Sequence, residues 1–137
     1  MPRLQKALSP IATSLLLGTL WAGWHYWIFL IPGQFKNDIP FGIFVLSCIA
    51  DTLCFTWLHN QSGFSILAGM LFHFSYNLTY HIVPVNPVYY SGDTGPYLVM
   101  IISELAIGII LNLQFSTKVQ STKRRSKAPL YESRGRL

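Results

Sequence analysis

"FSILAGMLFHFSYNLTYHIV", residues 64–83, runs for twenty residues without a Lys, Arg, Asp or Glu. A helix needs about 20 mostly apolar residues to cross the hydrocarbon core of a bilayer, so the stretch reads as a membrane span. It nevertheless carries His73 and Asn77, one helical turn apart. Polar groups at membrane depth are costly, and they face a bundle interior, where they mark a path or a site.

Three further stretches have the same character: residues 8–31, 41–58 and 97–115. The breaks between the four carry turn chemistry, as "PGQFKNDIP" (32–40), "HNQSG" (59–63) and "PVNPVYYSGDTGP" (84–96). Composition agrees, with 51% of the 137 residues apolar and 11% charged, too oily for an ordinary soluble domain. The expected fold is an all-α membrane protein, a bundle of about four transmembrane helices over residues 1–115. Residues 116–137 turn to Ser, Thr, Lys and Arg and read as a disordered basic tail.

Charge sets the orientation. Seven Lys and Arg against Glu132 give the tail a net +6, Arg3 and Lys6 add +2, and Lys36 with four acidic residues sums to −3, for +5 in all. Because Lys and Arg favour the cytoplasmic side, both termini are expected there, as an even number of spans requires. "KRRSK" beside a last span is a topology signal with affinity for anionic lipid, and no nucleic-acid partner is expected. The first apolar run has no convincing cleavage site and is read as a retained span. Cys48 and Cys54, six apart, fall on different helix faces, which argues against a mutual disulfide or a redox pair.

The candidate site residues are His25, Asp51, His73, Asn77 and Glu104, with His59 and His81 set aside at span ends. Ser65, Gly69, His73 and Asn77 form one small-and-polar ridge, and Ser14, Gly18 and Ala22 another that leads to His25. Small residues let membrane helices approach, so the two ridges are expected to pair. At about 1.5 Å per residue, His25 lies roughly 21 Å along its span, and His73 and Asn77 about 13 and 19 Å along theirs, so the three could converge. Two imidazoles and a carboxamide can orient water and donate to a developing oxyanion, or the imidazoles of His25 and His73 can bind a divalent metal such as zinc.

"PRLQKALSP", "LLLGTLWAGWHYWIFLIPG" and "FTWLHNQSGFSILAGMLFHFSYNL" together resemble the CPBP intramembrane proteases, the group of type II CAAX prenyl endopeptidases and bacteriocin-processing or self-immunity relatives. The resemblance covers residues 2–78. Trp21 to His25 matches the family's aromatic-x-x-x-His block, and His73 to Asn77 matches its His-x-x-x-Asn block. It implies that His25 holds the hydrolytic water together with a glutamate, and that His73 and Asn77 stabilise the oxyanion. It also implies a multi-pass protein of the bacterial plasma membrane that cuts membrane-associated peptides or prenylated proteins.

The family's Glu-Glu-x-x-x-Arg block has no counterpart here, and the sequence reads as N-terminally truncated. Its glutamates are Glu104 and Glu132. Loss of a general base typically costs roughly 10²- to 10⁴-fold in rate, so impaired peptidase activity is expected. Asp51 or Glu104 could act as a surrogate base or metal ligand, although a carboxylate hydrogen-bonded within the bundle is the plainer account. The competing function is a noncatalytic membrane protein that uses the His and Asn ridge to bind a peptide or a partner, as in bacteriocin immunity, the partner being another membrane protein or a second copy of the chain. A third is a small metal-binding or transport unit built on His25, His73, Asp51 and Glu104.

Overall fold

The computed structural model describes residues 3–33 and 39–127, with side chains to 121. Among these residues all regular structure is helical. The four main helices are α1 (Pro10–Trp24), α2 (Phe41–Gln61), α3 (Ile66–Ile82) and α4 (Gly95–Lys127). Short 3₁₀ turns lie at Leu4–Lys6, Tyr26–Leu30 and Pro87–Tyr90. By length and composition, α2 and the Gly95–Ser121 part of α4 are long and apolar enough to cross a membrane.

The ends of these helices follow from local chemistry. Ser9 caps α1 by accepting from the Ala12 backbone N–H at 3.1 Å, and Pro10 fills the first helical position, where its missing N–H costs nothing. The apolar run that reads as one span over 8–31 divides at Trp24. There the backbone N–H of His25 bonds the Ala22 carbonyl at 3.0 Å, an i→i+3 closure that tightens the chain into the 3₁₀ turn behind it. Between α2 and α3, Gly63 and Phe64 both take positive φ (63° and 69°), and the Phe64 N–H reaches back to the His59 carbonyl at 2.8 Å. That is the six-to-one bond of a Schellman turn, and Ser65 then caps α3 by accepting from Ala68 N–H.

The central helix is α2, packed on α1 along one side and on α4 along another. A Cβ added to Gly18 of α1 would stand 2.7 Å from the Ile49 Cα, and one added to Gly108 of α4 would stand 2.7 Å from the Leu53 Cβ. At each point the backbones approach as only glycine allows. In lipid, such close packing and interhelical hydrogen bonds hold helices together, since lipid tails are as apolar as leucine. Such bonds include the Ser14 and Thr56 hydroxyls, which meet at 2.8 Å, and Asn112 Nδ2, which donates to the Leu53 carbonyl at 2.9 Å.

Two expectations are corrected. The Ser14–Gly18–Ala22 ridge is buried against α2 and not against the α3 ridge. Phe55 and Trp21 stand in the way: Phe55 Cε1 covers Gly69, and the Trp21 ring lies 6.0 Å, centroid to centroid, from that of His73. Ser65 is a cap and not a packing residue. The basic segment is not disordered from residue 116, because α4 continues to Lys127. Residues 114–127 contain no Gly or Pro, Lys, Arg and Gln are good helix formers, and the Ser116 and Thr117 hydroxyls turn back onto carbonyls of the preceding turn. The rest of the expected tail, residues 128–137 with Glu132, Arg134 and Arg136, lies outside the described residues, as do Lys36 and Asp38.

Candidate functional site

Where the end of α1 meets α2, α3 and α4, a cavity of about 190 Å³ opens, and His25, Asp51, His73 and Asn77 all line it. His25 comes from the C-cap of α1, Asp51 from the middle of α2, and His73 and Asn77 from α3. The α3 lining residues His73, Tyr76, Asn77, Tyr80 and His81 follow the i, i+3, i+4, i+7, i+8 pattern of one helix face. Asp51 is 5% exposed, whereas α3 has no buried residue, and His73 and Asn77 are exposed. The cavity is thus deep on the α2 side and open along α3.

Hydrogen bonds fix the histidine tautomers. His25 Nδ1 lies 2.9 Å from the Trp21 carbonyl oxygen. A carbonyl only accepts, so Nδ1 carries the hydrogen and the neutral ring keeps its acceptor lone pair on Nε2. Asn77 Nδ2 donates to the His73 carbonyl at 2.9 Å and lies 3.1 Å from His73 Nε2. The backbone contact identifies that atom as the amide nitrogen, so His73 Nε2 accepts and Nδ1 is its donor. His25 therefore offers a base-like nitrogen and His73 offers an N–H. Asn77 is folded back on its own helix.

Glu104 does not line this cavity. Its side chain hydrogen-bonds Asp51 from α4, and it borders a second cavity of about 490 Å³ beside Phe72, Val83, Met100 and Ile107. Tyr76 and Tyr80 line both spaces and form the partition between them. A loop secures this wall: Asn86, 5% exposed, donates from Nδ2 to the Tyr80 hydroxyl at 2.7 Å and accepts from Val88 N–H at 3.1 Å.

Sequence reasoning did not single out Tyr76, Tyr80 or Tyr97, and it set His81 aside at a span end, whereas His81 lines this cavity. The spacing of His73, Tyr76, Tyr80 and His81 is visible in the sequence and could have flagged Tyr76, Tyr80 and His81, but Tyr97 joins only through the docking of α4. The metal reading fits poorly. Among the described residues no three His, Cys, Asp or Glu side chains are grouped to hold a metal ion, and one ring nitrogen of each histidine is already committed. Cys48 and Cys54 are buried and not joined in a disulfide; Cys48 lines the first cavity and Cys54 the second.

The chain is similar to the CAAX prenyl protease 2 of Methanococcus maripaludis, with 27% identity over 89 residues, which is 61% of this chain and 33% of that protein. It therefore spans about a third of the length of that relative. No family model and no solved structure matches it.

Proposed function

We propose that the chain carries the histidine–asparagine part of an intramembrane endopeptidase site, in a four-span bundle with both termini cytoplasmic, and that it acts on peptides held at the membrane. The observation that carries this reading is the meeting of His25, Asp51, His73 and Asn77 on one cavity with complementary tautomers. Similarity to a protease of the CAAX prenyl class supports the same direction, and S-prenylated peptides are the first substrates to try.

In this mechanism a water hydrogen-bonds to His25 Nε2 beside Asp51. The scissile carbonyl lies against His73 Nδ1–H, and Asn77 adds its amide donor once it swings off His73 Nε2. Donors placed where negative charge develops are worth more in the transition state than in the ground state. The test is cleavage of a quenched fluorescent peptide, ending in S-farnesyl-cysteine and three further residues, by the purified chain in liposomes. Release of the tripeptide that is lost in His73→Ala supports the reading. Equal release with and without His73 would sink it.

The noncatalytic alternative has one observation in its favour. Ile66, Leu67, Met70 and Phe74 of α3 are each more than half exposed, leaving a long apolar face for a partner membrane helix. Recovery of a stable membrane partner together with an uncut peptide would select this alternative.

A further inference from the structure

The α3 side of the first cavity is a row of hydrogen-bond donors that runs from His73 through Asn77 to Tyr80 and His81. Tyr80 is held from outside the helix. The Oδ1 of Asn86 accepts from the Val88 N–H at 3.1 Å, which identifies the other amide atom as nitrogen, and that Nδ2 donates to the Tyr80 hydroxyl oxygen at 2.7 Å. A hydroxyl that accepts in this way still carries its own hydrogen, which points away from Asn86. The ring is held on a further side by Tyr97, 3% exposed, whose centroid lies 6.1 Å away in an edge-on arrangement. The imidazole of His81, also 6.1 Å from the Tyr80 ring, lines the same cavity.

Seven residues separate His73 from Tyr80, about 10.5 Å along a helix. An extended peptide covers that distance in three residues, at roughly 3.3–3.6 Å each. Groups along such a chain alternate between its two sides, so when one carbonyl faces His73 Nδ1–H, an interior carbonyl three residues on faces away from α3. A terminal carboxylate has a second oxygen to turn back toward the helix, and as an anion it accepts more strongly. We propose that Tyr80 and His81 form a binding site for the free C-terminal carboxylate of a peptide, three residues beyond the bond held at His73, with Asn86 as its positioning residue. The inference rests on the peptide-cleaving reading of the site. Tyr80 also walls the second cavity, whose lining includes Val83, Met100 and Ile107, so the same ring separates the carboxylate from that apolar space.

The decisive comparison changes the peptide and not the protein. Farnesylated peptides with three residues after the farnesyl-cysteine, ending in a free carboxylate or in a carboxamide, are given to the full chain in liposomes. The amide should raise KM by about tenfold or more, the effect of losing a hydrogen bond to a charged group, with kcat within about threefold. Two variants, each checked for an unchanged thermal midpoint, place the effect. Tyr80→Phe should bring the acid close to the amide. Asn86→Asp keeps the acceptor for Val88 N–H but draws the Tyr80 hydrogen toward itself, so it should shrink the preference in the same way. A second readout does not need turnover: with the scissile amide reduced to a methyleneamine, the acid should still bind about tenfold more tightly than the amide. If His73-dependent cleavage treats acid and amide alike, the carboxylate site is overturned and the hydrolytic reading stands. If nothing is cut but the uncleavable acid is preferred, and Tyr80→Phe abolishes the preference, the carboxylate site stands and the hydrolytic reading falls. With neither cleavage nor preference, both fall.

Discussion

His25 has two duties that a single substitution can separate. Its Nδ1–H donates to the Trp21 carbonyl at the end of α1, adding to the weak 3.3 Å bond that this carbonyl accepts from the His25 backbone N–H, and its Nε2 faces the proposed water. Asn can place an N–H where the Nδ1–H stands but has no atom at Nε2. His25→Asn is thus expected to keep the thermal midpoint within a few degrees while peptide release falls by at least about tenfold. His25→Ala should also lose about 0.5–1.5 kcal/mol of stability, the ordinary worth of one hydrogen bond. Equal loss of stability in both variants would mean that the ring is held by packing alone. At this scale the sequence was informative, because an aromatic-x-x-x-His segment and a His-x-x-x-Asn segment are costly inside apolar runs and so stand out. The Asp51–Glu104 bond was not legible. Depth along a helix brings both carboxyls near His73, but only the facing of α2 and α4 decides that they meet each other, with Asp51 on the polar cavity and Glu104 on the apolar one.

At the scale of elements, periodicity located the helices but not their partners. Both glycine-containing ridges repeat every four residues, yet only that of α1 makes a close helix contact. The difference lies in what stands opposite: Gly18 meets the backbone of Ile49 and Cys48, which cannot move aside cheaply, whereas the nearest atom to a Cβ on Gly69 is Phe55 Cε1 at 3.9 Å. Gly18→Ala should therefore spread α1 from α2 and destabilise the fold by about 1–3 kcal/mol, the usual cost of overpacking. Gly69→Ala should be neutral or stabilising by up to about 1 kcal/mol, since Ala is the better helix former. Unfolding in mixed micelles, followed by tryptophan fluorescence, reads both. Comparable losses at the two positions would mean that α3 is held much more tightly than its lack of buried residues implies.

For the whole molecule, the topology proposed above, four spans with both termini cytoplasmic, has consequences that helix lengths and charges make testable. With 33 residues, α4 is about 50 Å long, against a hydrocarbon core of about 30 Å, so its last turns must project into water. Those turns begin the basic stretch from Lys118 onward, and Arg3 and Lys6 lie before α1. Four crossings put these two basic ends on one side and the 83–94 connection, which carries Asp93, on the other. The shorter helices α1 and α3, of 15 and 17 residues, are the weak links in this arrangement, since about 22 and 26 Å reach across only with tilt or local thinning of the bilayer. Single cysteines at Ala7, Val88 and Ser121, all exposed, decide the matter once Cys48 and Cys54 are replaced by Ala. In sealed inverted vesicles, a membrane-impermeant maleimide is expected to label Ala7→Cys and Ser121→Cys at once, and Val88→Cys only after the vesicles are opened. Labelling of Ala7→Cys and Ser121→Cys from opposite sides would require an odd number of crossings. It would leave α1 or α3 lying along the interface, and the cavity between them would then open to water and not to lipid.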